Sequence, residues 1–218
     1  MMESSLLSLT KRIADLDDDT GFVSCTAIEI CPNDISIYLE FYEFEEEIQH
    51  WHILAKGVTA HRIRRTQDFC WPRLETDHPI LMPHHLPHKV LYFNSSAKNS
   101  DEVFAQLLTA QIATTGSWFP SDFFLFTSGY QTIQDFLRIG FGQLAVGPEP
   151  VIEAFQVVLT SHGIEHSTLS WDYFGWNGSS HFLLNPAASA LVAQGSYIVA
   201  DKFIAQKVEH PSSIPPKP

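Results

Sequence analysis

DISIYLEFYEF, residues 34–44, has the clearest structural pattern in this sequence. Its aliphatic and phenylalanine side chains occupy every second position, which is the period expected for a β-strand with one buried face. Pro32-Asn33-Asp34 is a turn signal, so residues 21–30 and 34–44 are predicted to pair as a hairpin. Two further strands are predicted at 48–55 and 58–65. The first third of the chain is therefore predicted to form an antiparallel β-meander.

Helices are predicted before this meander and in the second half of the chain. Residues 3–16 and 101–114 place their apolar side chains at the spacing of an amphipathic helix. A further helix is predicted with Ile133, Phe136 and Leu137 on its apolar side, and it ends at Gly140. The helix at 150–162 lies between two short strands, and these elements form a β-α-β unit over residues 143–171 whose strands should be parallel. We therefore predict an α+β fold: an N-terminal helix plus an antiparallel β-meander, followed by a mixed sheet with at least three helices.

A proline-rich segment, residues 68–90, interrupts the alternation of strands and helices. Its apolar side chains indicate a crossing loop that packs on the protein rather than a free linker. We expect a single α+β body over residues 1–208, within which two sub-lobes can be drawn at 1–88 and 89–208. Residues 209–218 are predicted to form a disordered tail.

The charge of the chain excludes several functional classes. Lys and Arg number 13 against 25 Asp and Glu, which gives a formal net charge of −12. Such a chain repels phosphate and anionic lipid, so neither nucleic acid nor a membrane is expected as a partner. No apolar run reaches the roughly 20 residues of a membrane span. A secretory signal pattern and a regular cysteine framework are both missing, so the predicted location is cytoplasmic.

The histidines are the first candidates for chemistry. Two of them lie two residues apart on a predicted strand, and three more are close together in the proline-rich segment. Imidazoles at short spacing are ligands that zinc prefers, so one hypothesis is a small metal-dependent hydrolase that adds a carboxylate such as Glu40 or Asp77. We favour a structural or solvent-facing role, because no HExxH or cupin-like spacing is present. The candidate metal ligands are His50, His52, His84, His85 and His88.

WDYFGWNG, residues 171–178, mixes aromatic side chains with an acid and an amide. This composition is typical of a partly exposed interface rather than of a core. Since no spacing typical of a catalytic site occurs, we favour a non-catalytic binding or adaptor protein that acts through an acidic, aromatic-bearing surface. Its expected partner is a basic protein or a second copy of the chain, and no cofactor is expected. The candidate partner-binding residues are Trp171, Asp172, Tyr173, Trp176 and Asn177.

LAVGPEPVIEAFQVVLTSHGI, residues 144–164, resembles the last strand–helix unit of the nicotinamide domain in ferredoxin-reductase-like flavoproteins. The similarity comprises a Gly-Pro turn, a helix that ends at a glycine, and a later aromatic motif, here Tyr173, Phe174 and Trp176. It covers about 35 of the 218 residues and does not include a flavin-binding Arg-x-Tyr-Ser/Thr motif. The resemblance implies a third hypothesis, a degenerate nucleotide- or flavin-binding domain.

Overall fold

The computed structural model describes residues 3–16, 20–43, 47–126, 132–176 and 181–209, and it has the predicted α+β fold. The chain divides into two compact units, Met1–His78 with Ala187–Pro218, and Pro79–Pro186. The elements in chain order are α1 (Glu3–Asp15), β1 (Gly21–Ile30), β2 (Asp34–Glu43), β3 (Gln49–Arg62), β4 (Arg73–Glu75), α2 (Met82–His85), β5 (His88–Phe93), α3 (Ser100–Thr115), α4 (Ile133–Ile139), β6 (Gly142–Pro148), α5 (Glu149–Ser161), β7 (His166–Trp171), β8 (Phe174–Trp176), β9 (His181–Leu183), β10 (Ser189–Ala193) and β11 (Ser196–Val208).

The first unit is an antiparallel sheet on which α1 packs. Within the described residues its six strands lie in the order β1-β2-β3-β11-β10-β4. The predicted meander is formed by β1, β2 and β3. Alternate side chains of β2 are buried as the sequence pattern requires, and α1 contributes leucine and isoleucine side chains to the same core. The central members of this core are Leu6, Leu9, Ile13, Ile35, Ile37, Leu39 and Phe41.

Gly57 lies within one continuous strand, whereas the sequence predicted two strands on either side of it. The backbone at Gly57 has φ +65°, and the register between β3 and β11 shifts beside it, at Val199 and Ala200. A Cβ added at Gly57 would lie 2.2 Å from a carboxylate oxygen of Asp201 on β11. A glycine at this position therefore allows β3 to bulge without ending.

The last two strands, β10 and β11, belong to the sheet of the first unit. The predicted sub-lobes at 1–88 and 89–208 instead place residues 196–208 with the second half of the chain. In the structure β11 pairs with β3 along almost its whole length, so the first unit is discontinuous in sequence. The division at residue 88 differs from this arrangement because pairing between distant strands leaves no local signal in the chain. Residues 210–218 of the predicted tail lie outside the described residues.

The second unit contains the predicted β-α-β arrangement. In the described ranges its sheet has the order β6-β5-β7, and β5 is antiparallel to both neighbours. The strands β6 and β7 are therefore parallel to each other, as predicted, with β5 between them. The helix α5 packs on β5 and β6, and α3 packs on α5. No helix of the described residues is long and apolar enough to cross a membrane.

Candidate partner-binding site

Aromatic side chains of the second unit form one surface at the end of β7. The strands β8 and β9 pair as an antiparallel hairpin, in which Phe174 lies opposite Leu183 and Trp176 lies opposite His181. The His181 ring lies between two indoles, with its centroid 4.7 Å from that of Trp171 and 5.0 Å from that of Trp176. The hairpin and the last residue of β7 therefore belong to one continuous site. We call this site the aromatic surface; it consists of Trp171, Tyr173, Phe174, Trp176, His181 and Leu183.

The aromatic surface is open to solvent and contains a cavity. Tyr173 is 77% exposed, Leu183 71% and Phe174 48%. Trp171, Phe174 and His181 line a cavity of about 310 Å³. Large apolar side chains that are exposed together, with polar residues beside them, are typical of a binding site rather than of a random surface.

The β8–β9 hairpin holds its shape through a close contact at Gly175. A Cβ added there would lie 2.3 Å from the ring of Phe182, so only glycine permits this approach. The backbone N–H of Leu184 donates to the carbonyl oxygen of Tyr173 at 3.2 Å. Because successive strand residues point to opposite faces, Phe174 lies on the face of the hairpin away from the Phe182 ring.

His88, the first residue of β5, connects the hairpin to the core of the second unit. Its ring is fully buried, its Nδ1 accepts a hydrogen bond from the backbone N–H of Trp176 at 3.2 Å, and its Nε2 lies 2.9 Å from the carbonyl oxygen of Pro83. Because Nδ1 accepts, the proton must be on Nε2, which donates to Pro83. Burial lowers the pKa of His88 to about 4, so the ring is neutral at physiological pH. Both ring nitrogens are thus occupied by structural hydrogen bonds.

His84 supports the same hairpin from α2. Its buried ring packs against Phe182 with 4.9 Å between centroids, and its carbonyl oxygen accepts a hydrogen bond from the N–H of Asn185 at 3.0 Å. Burial first, and then the charges of the neighbouring His85 and His88, lower the pKa of His84 to about 4. The structure therefore brings His84 and His88 together beneath the aromatic surface, where they contact the hairpin.

His50 and His52 lie on the outer face of β3 in the first unit. The His52 ring stacks on Tyr38 at 4.8 Å, its Nε2 lies 3.0 Å from the Ser36 hydroxyl, and its Nδ1 is 3.3 Å from the side-chain amide of Gln206. Burial lowers the pKa of His52.

His50 lies 3.7 Å from a carboxylate oxygen of Glu40 on the neighbouring strand. In the part of the chain that the structure describes, no group of three or more His, Cys, Asp or Glu residues is arranged to hold a metal ion. All five candidate metal ligands belong to that part of the chain.

The charges of the second unit leave an exposed carboxylate at each end of β7, and one of the two, Asp172, adjoins the aromatic surface. Residues 79–186 contain eight acids and three Lys or Arg residues. Lys89 forms ion pairs with two glutamates of α5, and Arg138 forms ion pairs with two aspartates. Glu165 and Asp172 are exposed just before and just after β7, and neither has an ion-pair partner among the described residues. The field near the aromatic surface is therefore negative.

Four of the predicted partner-binding residues, Trp171, Asp172, Tyr173 and Trp176, lie at this site, and Asn177 lies outside the described residues. His181 and Leu183, which also lie at this site, were not among the predicted partner-binding residues. The sequence His181-Phe182-Leu183 has no polar–apolar alternation of its own, and three residues are too few to define a strand. Searches against protein-family models, curated proteins and solved structures find no match for this chain.

Proposed function

We propose that this protein is a cytoplasmic, non-catalytic binding protein and that its partner docks on the aromatic surface. The observation that carries the proposal is the exposure of Tyr173, Phe174 and Leu183 on a hairpin that a hydrogen bond to the buried ring of His88 holds in place. Exposed apolar side chains lower the free energy of association most when they are already ordered, because little conformational entropy is then lost on binding.

The expected partner is a basic protein. Asp172 and Glu165 lie at the two ends of β7 without an ion-pair partner among the described residues, so cationic side chains of a partner can neutralise them. A second copy of the chain brings the same negative field and is the less favourable partner. No observation gives similar support to a metal-dependent hydrolase, because His88 and His52 already use both ring nitrogens. The flavin hypothesis has only the β-α-β topology in its favour.

The proposal is tested with a double variant, Tyr173→Ser with Leu183→Ser, which removes exposed apolar area and leaves the core unchanged. Phe141→Ser is the matched control, because Phe141 is 64% exposed in the same unit but is not part of the aromatic surface. Each immobilised protein is exposed to extracts of the source cells, and bound proteins are quantified by mass spectrometry. We expect the wild type and the control to retain the same small set of basic proteins, and the double variant to lose it.

Equal retention by all three proteins would overturn the proposal. Sedimentation velocity on the same proteins separates the two types of partner. A wild-type dimer that the double variant abolishes would show that the surface binds a second copy, and would contradict the basic partner.

A further inference from the structure

We infer that the cavity of the aromatic surface receives the ammonium group of a lysine side chain from the partner. The inference rests on the proposed function and specifies its recognition chemistry. The features that carry it are the aromatic lining, the size of the cavity and the charge beside it.

The lining of the cavity is suited to a cation. Trp171 and Phe174 line it together with His181, and among the described residues no lysine or arginine belongs to the lining. Aromatic faces carry negative electrostatic potential and attract a cation within about 6 Å of the ring centroid, tryptophan most strongly. Because the cavity is open, a long side chain can reach the rings while part of its hydration is retained.

The size of the cavity fits a side chain rather than a large ligand. Its volume of about 310 Å³ is at the lower end of the range of roughly 300–1,000 Å³ found for small-molecule sites. A lysine side chain brings four methylenes, which contact the apolar walls, and one compact charge, which contacts the ring faces.

The charge near the cavity distinguishes a cation from an apolar side chain of similar shape. Asp172 is exposed, directly follows Trp171, and has no ion-pair partner among the described residues. Lys89 and Arg138 of the same unit are already paired with carboxylates. Asp172 is not part of the cavity lining, so its carboxylate acts on an occupant through its charge and favours an ammonium group over the neutral side chain of leucine or methionine.

The experiment compares two pairs of probes that differ in charge but have similar shape. Choline is paired with 3,3-dimethylbutan-1-ol, and N-acetyl-lysine methylamide with N-acetyl-norleucine methylamide. Binding to the full chain is followed at pH 7.5 through the ¹⁵N-labelled indole N–H resonances of Trp171 and Trp176. We expect each cationic probe to shift these resonances and to bind at least about five-fold more tightly than its neutral counterpart.

Two variants and one control test which side chains produce the preference for cationic probes. Asp172→Asn should weaken the binding of both cationic probes about three-fold or more. Phe174→Leu should reduce the preference for charge about two-fold or more, because Trp171 remains in the lining while apolar contact is retained. Asp122→Asn is the control and should change nothing, because Asp122 is an exposed acid of the same unit whose neighbours in the chain do not line the cavity, whereas Asp172 directly follows Trp171.

Equal affinity for charged and neutral probes would overturn the inference, since the cavity would then be merely apolar. Binding of choline without binding of the lysine probe would also overturn it and would indicate a free quaternary ammonium ligand. Neither result affects the proposed function, which fails only if the Tyr173→Ser, Leu183→Ser variant retains the same proteins as the wild type.

Discussion

At the scale of single residues, His88 shows how a polar ring can be stable in an apolar interior. Its Nδ1 accepts from Trp176 and its Nε2 lies within hydrogen-bond distance of the carbonyl of Pro83, so no ring nitrogen is buried without a partner. The ring also connects three separate segments of the second unit, namely α2, β5 and β8. The position of the aromatic surface therefore depends on a residue that is itself inaccessible to a partner.

Replacing His88 with phenylalanine retains ring volume but leaves the N–H of Trp176 and the carbonyl of Pro83 unpaired. We expect His88→Phe to lower the free energy of unfolding by about 2–4 kcal/mol, since each buried unsatisfied group costs roughly 1–3 kcal/mol. The measurement is urea unfolding at pH 7.5. His85→Phe serves as the control because His85 is only half-buried on the same segment, and a comparable loss in both variants would contradict the role assigned to His88.

The buried histidines also make stability depend on pH. Burial lowers the pKa of His84 and of His88 from 6.5 to about 4, so on unfolding between these values each ring takes up a proton. The stabilisation is fully present above pH 6.5 and is lost as pH falls towards 4, by about 3 kcal/mol for each ring. His52 and His78, whose pKa values burial also lowers, act in the same direction.

This pH dependence is checked by measuring the midpoint of urea unfolding at several pH values between 7.5 and 4. A His84→Phe variant should take up fewer protons on unfolding and should therefore have a shallower dependence than the wild type. A wild-type midpoint that does not change over this interval would show that the two rings are not held neutral.

At the scale of elements, the bulge in β3 provides a matched comparison between two glycines. Gly57 and Gly163 both have φ +65°, but a Cβ at Gly57 would meet Asp201 whereas a Cβ at Gly163 would meet nothing within 4 Å. Alanine at either position bears the left-handed backbone cost of about 1–2 kcal/mol. We expect Gly57→Ala to lower the free energy of unfolding by about 0.5–1.5 kcal/mol more than Gly163→Ala, because the exposed Asp201 side chain must turn away from the new Cβ.

Thermal and urea unfolding of the two alanine variants measure this difference. Combining Gly57→Ala with Asp201→Ala should recover most of the additional loss, since the carboxylate is the group that the new Cβ would touch. If the two variants lose the same amount of stability, the new Cβ of β3 and the Asp201 side chain of β11 can move apart without penalty.

The elements that can be predicted from the sequence are those in which buried side chains recur at a regular spacing. The alternation of apolar and polar side chains in β2 and the apolar face of α1 are local patterns, so the sequence of each element indicates which of its faces is buried. The pairing of β11 with β3 is set by a contact between distant segments, and no pattern within Ser196–Val208 names its partner strand. The burial of His84 and His88 was also not predictable, because a histidine among prolines has the same composition whether it faces solvent or the core.

At the scale of the whole molecule, the chain leaves the first unit at His78 and returns to it at Ala187. The segment between these residues has its own sheet, helices and buried core. The returning strand β11 lies between β3 and β10, in the interior of the sheet rather than at its edge. The stability of the first unit therefore depends on the last part of the chain.

A chain truncated after Pro186 tests this dependence. We expect residues 79–186 to retain slowly exchanging amides, and β1, β2 and β3 to lose theirs, because Ile198, Ala200 and Phe203 no longer close the first core. Hydrogen exchange measured by mass spectrometry on the truncated and full-length chains reports both units at once. Loss of protection throughout the truncated chain would show that the two units fold only together.

The late position of β11 also has a consequence for biosynthesis. Between the emergence of β3 and the emergence of β11 from the exit tunnel, the ribosome adds about as many residues as separate Arg62 from Ser196, and during that time the β3 backbone is unpaired on one side. At about 5–20 residues per second this interval lasts on the order of ten seconds. An open strand edge of this kind can pair with other nascent chains, so the protein has reason to need a chaperone during its synthesis although its finished sheet covers that edge of β3.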